Sequence, residues 1–217
     1  VNKKKPHVNL KIASTVDGKI ATKIRDSKWI TGKHSRMIGH YLRSKNDCIL
    51  VGRGTVEKDN PSLNCRLSGL DHTSPDIFIL DTNLNLSLNS KIFKLKNRKV
   101  SIFHNCPNFN KKKYKNIKLI RLNDNPGILD IRKVIKLISG KGYHRILVEG
   151  GSKISTSLLK NNLIDKIYWF RASKVIGGEG IGAISNLNIR KMNLVKKFKL
   201  EDSARVEDDI MDIYTRG

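Results

Sequence analysis

The stretch Ile146 to Leu159 constrains the chain most. It begins with a short apolar run, Ile146-Leu147-Val148, of the kind a buried parallel strand shows. Glu149 follows at the strand's end. Gly150 and Gly151 come next, where a backbone needs unusual angles or close approach to a ligand. Ser152 is placed to cap a helix whose apolar positions Ile154, Leu158 and Leu159 share one face. Strand, Gly-Gly, then helix start aims free backbone N–H groups and a positive dipole end at one point, which suits a phosphate. Taken alone, the pattern also fits a tight strand-to-helix turn with no ligand.

The rest of the chain supplies a frame for that junction. Val8 to Ser14 alternates as a strand, with Val8, Leu10 and Ile12 on one face and Asn9, Lys11 and Ala13 on the other. Asp17-Gly18 closes it, and Lys19 to Thr22 reads as a short extended piece. A helix runs from Lys33 to about Ser44, capped by Thr31 or Gly32, with Met37, Ile38, Tyr41 and Leu42 as its apolar face. Asp47 to Val51 is a strand ending in Gly52-Arg53-Gly54-Thr55, a second strand-to-glycine junction. Asp59-Asn60-Pro61-Ser62-Leu63 reads as a loop. Strands follow at Asp76 to Leu80, Val100 to His104 and Ile117 to Leu122. Lys111-Lys112-Lys113 reads as a solvated loop. A helix spans Ile128 to Ser139, stopped by Gly140 and Gly142. Lys166 to Ala172 is a strand, and Lys174 to Ile176 another extended segment. Two more strands occupy about Leu194 to Asp202 and Ala204 to Tyr214, with Glu207-Asp208-Asp209 as an acidic break inside the second.

Strands and helices alternate mostly in βα order, so the class is α/β with a largely parallel sheet. The last two strands have no helix between them and predict an antiparallel edge. No repeat or linker divides the sequence, so residues 1–217 read as one domain.

The formal net charge of +24 is extreme. A nucleic-acid partner would concentrate that charge in a patch or stripe. The lysines are instead dispersed among asparagines, so no nucleic acid is expected as partner, though the basic surface suits anionic small molecules. Cys48, Cys65 and Cys106 form no metal pattern and no even disulfide set, which predicts a reducing, cytoplasmic setting. No apolar run approaches the roughly 18 residues that span a membrane.

There is no HExxH, no Cys/His cluster and no nucleophile elbow, so no metal site and no hydrolase chemistry is expected. Glycine-bearing strand ends are the repeated theme. In open α/β sheets ligands sit at the carboxyl ends of strands. Thr55, Thr82 and Ser152 to Ser157 then surround one extended ligand carrying phosphates.

Five blocks add a resemblance. They are Ala13-Ser14-Thr15-Val16-Asp17-Gly18-Lys19-Ile20-Ala21, Ser27-Lys28-Trp29-Ile30-Thr31, Leu50-Val51-Gly52-Arg53-Gly54-Thr55-Val56, Asp59-Asn60-Pro61-Ser62-Leu63 and Val148-Glu149-Gly150-Gly151. In order and spacing they resemble the reductase domain of the bacterial bifunctional riboflavin-biosynthesis deaminase/reductases, from about Pro6 to the end. The resemblance implies a dihydrofolate-reductase-like fold, a mixed and mostly parallel sheet flanked by helices. It implies NADPH-dependent reduction of 5-amino-6-(5-phosphoribosylamino)uracil to its ribityl counterpart, with hydride delivered to ribose C1′, and a homodimer.

By the same resemblance Ala13, Trp29, Thr55, Asp59 and Thr82 contact the cofactor, and Gly151, Ser152, Lys153, Ile154, Ser155, Thr156 and Ser157 form its pyrophosphate-binding helix start. Without the flanking match Trp29 reads as a half-buried core aromatic, and Asp59 as a turn residue. Lys11, Ser27, Arg43, Leu63, Arg66 and Glu149 match substrate-contacting positions, and two arginines and a hydroxyl suit a ribose phosphate. Lys11 and Glu149 are the catalytic candidates. The proton source stays open among Lys11, Glu149, Asp59 and water.

The family's N-terminal zinc deaminase signature, His-x-Glu with Pro-Cys-x-x-Cys, does not occur here. Either the chain is a stand-alone reductase or it is one half of a two-domain chain, and the start on Val1 with the Lys3-Lys4-Lys5-Pro6 lead-in favours the second. Gly177-Gly178-Glu179-Gly180 is taken as structural, since Glu179 would repel a phosphate. Two other readings are carried: another NADPH reductase of the same fold, and a basic nucleic-acid-binding protein.

Overall fold

The computed structural model describes residues 5–110, 114, 117–122 and 127–217. Val1 to Lys4, which carry most of the basic lead-in, and the Lys111-Lys112-Lys113 run lie outside the described residues.

Nine strands form one sheet in the order β10-β11-β8-β1-β7-β3-β4-β5-β6. The chain enters at its middle with β1 (His7–Thr15), and helix α1 (Lys33–Ser44) carries it past one position to β3 (Cys48–Gly52). The short helix α2 (Arg53–Asp59) leads on to β4 (Asp76–Leu80), and β5 (Val100–His104) and β6 (Lys118–Arg121) continue to that edge. Helix α3 (Ile131–Gly140) returns the chain to β7 (Arg145–Glu149), which slots between β1 and β3. Helix α4 (Ser152–Lys160) then leads to β8 (Lys166–Ala172) on the far side of β1. All these pairings are parallel. The hairpin β10 (Phe198–Val206) and β11 (Asp209–Arg216) closes the sheet as the expected antiparallel edge. A separate two-stranded ribbon joins β2 (Lys19–Ala21) to β9 (Ile181–Gly182).

The central strands are apolar on both faces, as burial between two helix layers demands. One face sends Val8, Leu10, Leu50, Phe78, Phe103, Ile146 and Val148 against Val134 and Ile138 of α3 and Leu158 of α4. The other sends Ile49, Val51, Ile77, Ile79, Ile102 and Leu147 against Leu42 of α1 and Val56 of α2. Helices therefore cover both faces. Because α2 follows β3 on one face and α4 follows the adjacent β7 on the other, the chain diverges between them. Such a divergence leaves a crevice at the strands' carboxyl ends.

Several boundaries differ from expectation. Helix α1 buries Ser35, Gly39, His40 and Leu42, while Met37 and Tyr41 are exposed. Of the expected apolar face only Ile38 and Leu42 reach the core; the rest of the inner face is small or polar where it roofs a charged cluster. Residues 53 to 59 form α2, so Asp59 ends a helix instead of opening a loop. Helix α3 starts at Ile131, not Ile128, because the Asp130 carboxylate accepts from the Arg132 N–H and caps it. Gly151, not Ser152, is the N-cap of α4, and the Ser152 hydroxyl bonds that of Ser185 instead. Lys174 to Ile176 is not a strand; the pairing partner of β2 lies later, at Ile181–Gly182. Glu207-Asp208 is the hairpin turn, with Glu207 at positive φ, rather than a break inside a strand.

Candidate functional site

The two glycine junctions meet. A Cβ placed on Gly52 would lie 3.6 Å from Ile154 Cδ1, so the end of β3 abuts the first turn of α4. The Ser152 and Lys153 N–H groups are too near the helix start to find acceptors within α4. There is no acidic residue in that first turn, and in front of Gly151 a Cβ would meet nothing within 4 Å.

A charged cluster sits beside this junction. Lys11 pairs in register with Glu149 across β1 and β7, so both side chains leave the same face. Arg43 reaches from α1 to Glu149 with Nε–Oε1 at 2.7 Å and Nη2–Oε2 at 2.8 Å. Burial alone would raise the Glu149 carboxyl, but the charge and hydrogen bonds of Arg43, then Lys11, hold it below its ordinary value. The Lys11 ammonium lies 5.5 Å from the centre of the Phe170 ring. Burial lowers its pKa; Glu149 pulls back upward and Arg43 pushes down again.

The loop after α2 is held over this cluster by its carbonyls. Arg98 donates to Ser62 O at 2.7 Å, Leu63 O at 2.9 Å and Pro75 O at 2.6 Å. His40 Nδ1 and Arg43 Nη1 lie 2.8 and 3.1 Å from Asn64 O. Three consecutive carbonyls are thus taken by side-chain donors. The loop needs the help, since Asn60 and Leu63 both adopt positive φ. Arg66, exposed at the loop's end, donates from Nε to His40 Nε2 at 3.1 Å.

The chain matches the RibD C-terminal domain family over residues 6–211. It belongs to that family. It is 31% identical over 218 residues to the riboflavin biosynthesis protein RibD of Aquifex aeolicus, an alignment covering 100% of this chain and 59% of that protein. A crystal structure of a diaminohydroxyphosphoribosylaminopyrimidine deaminase/5-amino-6-(5-phosphoribosylamino)uracil reductase from Thermotoga maritima matches with a TM-score of 0.84 at 30% identity. That match covers 100% of this chain and 58% of the other. The chain therefore spans under two thirds of the length of these two relatives. Dihydrofolate reductase from Enterococcus faecalis complexed with NADP(H) shares the fold, with a TM-score of 0.52 at 11% identity over 98% of both chains. The expected dihydrofolate-reductase-like architecture is met.

Within this RibD C-terminal domain the expected site residues fall into three groups. Lys11, Arg43 and Glu149 are brought into one cluster, with Leu63 and Arg66 on the loop above. The Arg43 fork is occupied by Glu149, so it is not free to grip a phosphate as expected; only Arg66 is exposed. A second group comprises the other expected contacts outside α4. Lys28 acts electrostatically on Asp59, whose carboxyl partial burial raises against the pull of Lys28 and Lys58. Ser27 is half-buried in the loop before Trp29. Trp29 is 63% exposed rather than a core aromatic, and the Arg36 guanidinium stacks 4.5 Å from its ring centre. Thr55 is half-buried in the first turn of α2, and Ala13 lies in β1 opposite Phe170. Thr82 follows β4, its carbonyl accepting from the Asn105 N–H.

The third group is α4. Gly151 and Lys153 are exposed, but Ile154 is core, Ser155 is buried, and the Thr156 hydroxyl accepts from the Ser185 N–H at 2.7 Å. Ser157 lies a turn further along and is half-buried. Of the expected α4 residues only Gly151 and Lys153 are exposed. His40 and Arg98 were missed by sequence reasoning. His40 recurs at helical spacing with Arg43 (i, i+3), a signal that was legible; Arg98 sits in a polar stretch and gave none. A groove of about 480 Å³ lined by Leu159, Ile164, Phe198 and Arg216 lies at the far end of α4 and the start of β8. Among the described residues no helix is long and apolar enough to cross a membrane.

Proposed function

We propose that this chain is the reductase of riboflavin biosynthesis that converts 5-amino-6-(5-phosphoribosylamino)uracil to its ribityl product with NADPH. One observation carries the reading: β7 ends in Glu149, which anchors the Lys11–Arg43 cluster, and the next two residues lead into the open first turn of α4, whose free N–H groups suit a phosphate. A polar substrate cluster and an anion-binding helix start thus share one strand end.

The residues fit a dinucleotide. The N–H groups of Ser152 and Lys153 suit its pyrophosphate, with Gly151 leaving room and Lys153 adding charge. The exposed Trp29 face, Ala13, Thr55 and Asp59 line the way to the reacting centre, and Thr82 serves the adenosine end. Ile154 to Ser157 support that turn from behind. When bound, the cofactor supplies the hydride received at ribose C1′.

Lys11, Ser27, Leu63, Arg66 and Glu149 bind the substrate. Glu149, kept ionised by Arg43, accepts hydrogen bonds from sugar hydroxyls or a uracil N–H, and so is not the proton source. Lys11 is: a buried ammonium of lowered pKa gives up its Nζ proton readily. That proton goes to the sugar ring oxygen as the ring opens, which balances the hydride added at C1′. The three free cysteines favour a reducing cytoplasm, and a homodimer is proposed by analogy with the family.

The test is reduced-nicotinamide oxidation in the presence of phosphoribosylaminouracil, after a thermal-shift titration with NADPH, NADH and an oligonucleotide. A ligand that binds only the folded state at a hundredfold excess over Kd adds roughly 2.7 kcal/mol. Stabilisation by NADPH with substrate-dependent turnover supports the reading. Stabilisation by the oligonucleotide alone, abolished by salt, refutes it.

A further inference from the structure

His40 has no part in the roles above, yet its contacts fix its chemistry. The ring is buried at 9% exposure against the loop after α2. Nδ1 lies 2.8 Å from Asn64 O, which can only accept, so Nδ1 carries the proton. Arg66 Nε can only donate and lies 3.1 Å from Nε2, so Nε2 presents a lone pair. Arg43 Nη1, also a donor, lies 3.4 Å from Nδ1 but has a shorter bond to Asn64 O at 3.1 Å, so the two closest ring contacts select the neutral Nδ1–H tautomer. A second proton would set N–H against a guanidinium N–H.

The surroundings act the same way. Burial comes first, and the cations of Arg43 on the same helix and Arg66 on the loop add to it; together they lower the His40 pKa. The Asn64 carbonyl opposes this, as does Glu149 from β7, but that carboxylate is committed to Arg43.

We propose that His40 is a positioning residue that holds Arg66 through its Nε2 lone pair and so presents the guanidinium's two Nη groups to the phosphate of a sugar-phosphate ligand. With Nε engaged, the Nη1–Nη2 edge is the fork left for bidentate phosphate binding. The inference rests on the reading that Arg66 faces the substrate. It adds a condition: the fork is set only while His40 is neutral.

Two variants separate the ring's halves. His40→Asn places an amide near Nδ1 and keeps the donor to Asn64 O, but removes the acceptor for Arg66. His40→Gln can place its carbonyl oxygen near Nε2 and keep that acceptor. The measurement is calorimetric affinity for ribose 5-phosphate, on the whole chain, with Arg66→Ala as reference. His40→Asn and Arg66→Ala should each weaken binding about tenfold, the scale of one charge-assisted hydrogen bond. His40→Gln should stay within about threefold of wild type. In turnover, His40→Asn should raise KM with little change in kcat.

A pH series supplies a readout that a purely structural role would not move. The ligand's own phosphate titrates near about pH 6 in every sample. The excess loss of affinity in wild type over His40→Gln on acidification isolates His40. This arm also decides if His40→Asn does not fold. Equal affinities across the set, equal losses in both His40 variants, identical pH profiles, or no ribose 5-phosphate binding by wild type would each overturn the inference. Failure of the reductase reading looks different: wild type would not oxidise NADPH with phosphoribosylaminouracil, while the binding pattern held.

Discussion

Arg43 and Glu149 are joined by two parallel hydrogen bonds, 2.7 and 2.8 Å, that pin the last turn of α1 to the end of β7. Their side chains are 16% and 12% exposed, so water screens the pair little. Removing one partner leaves a buried charge uncompensated. Glu149→Gln and Arg43→Ala should each cost about 3–5 kcal/mol in urea unfolding. The double variant should cost less than the sum, because the two share one interaction. A single variant within about 0.5 kcal/mol of wild type would remove the pair from any account of stability.

The same pair sets an acid limit. The folded-state pKa of Glu149 lies below its ordinary value, so the unfolded chain binds more protons in the window between them. The contribution is therefore complete above the ordinary carboxylate range and is lost as pH falls through the folded value. Wild type and Glu149→Gln should differ by a constant stability from about pH 8 to about pH 5, and the difference should shrink below the ordinary glutamate value and vanish only below the lowered folded-state value. Convergence above neutrality would contradict the sign.

How much of this could be read beforehand depended on which residue type carried the information. The strands Asp76–Leu80, Val100–His104 and Lys166–Ala172 were legible to the residue, because β-branched and aromatic runs bounded by turn residues admit little else. The strand–Gly-Gly–helix junction was equally plain. Helix α1 was legible in length but not in facing. Ile38 and Leu42 do meet the core, but Met37 and Tyr41 look like core by hydropathy and are exposed, while Ser35, Gly39 and His40 face inward, Gly39 directly over the Lys11 side chain. The Arg43–Glu149 pair was hidden for a similar reason. Each residue was picked out singly as a substrate contact, but nothing in a sequence says that two charges 106 residues apart neutralise one another.

Arg98 should prove as important as any residue in the cluster. It donates to the carbonyls of Ser62, Leu63 and Pro75, and burial, with Arg43 adding, lowers its pKa to about 10, so it stays charged at neutral pH. Arg98→Ala leaves carbonyls that face protein without a donor, at about 1–3 kcal/mol for each that water cannot reach. Arg98→Lys should recover only part of that loss, since a point-like ammonium cannot reproduce the planar fork. Both should make the Asn60–Arg66 loop more open to limited proteolysis. An Arg98→Ala protein with unchanged unfolding midpoint and unchanged loop cleavage would show that the loop holds itself.

Gly150 and Gly151 should separate stability from binding. A Cβ on Gly150 would lie 2.6 Å from Ile154 Cγ2 and 3.2 Å from Ile154 Cβ, closer than packed atoms approach. Gly150→Ala must push the first turn of α4 off the sheet, at about 1–3 kcal/mol. It should lower Tm without ligand and weaken NADPH as a consequence. Gly151 has φ −75° and ψ 177°, which any residue adopts, and its Cβ would meet nothing within 4 Å. Gly151→Ala should therefore leave the ligand-free Tm almost unchanged. The added methyl would stand in the open space before the Ser152 and Lys153 N–H groups, where the proposed pyrophosphate sits. Its effect should appear only as a smaller thermal shift on adding NADPH. A Gly151→Ala protein that binds NADPH as tightly as wild type would move the phosphate away from α4, and with it the reason for placing the cofactor at this strand end.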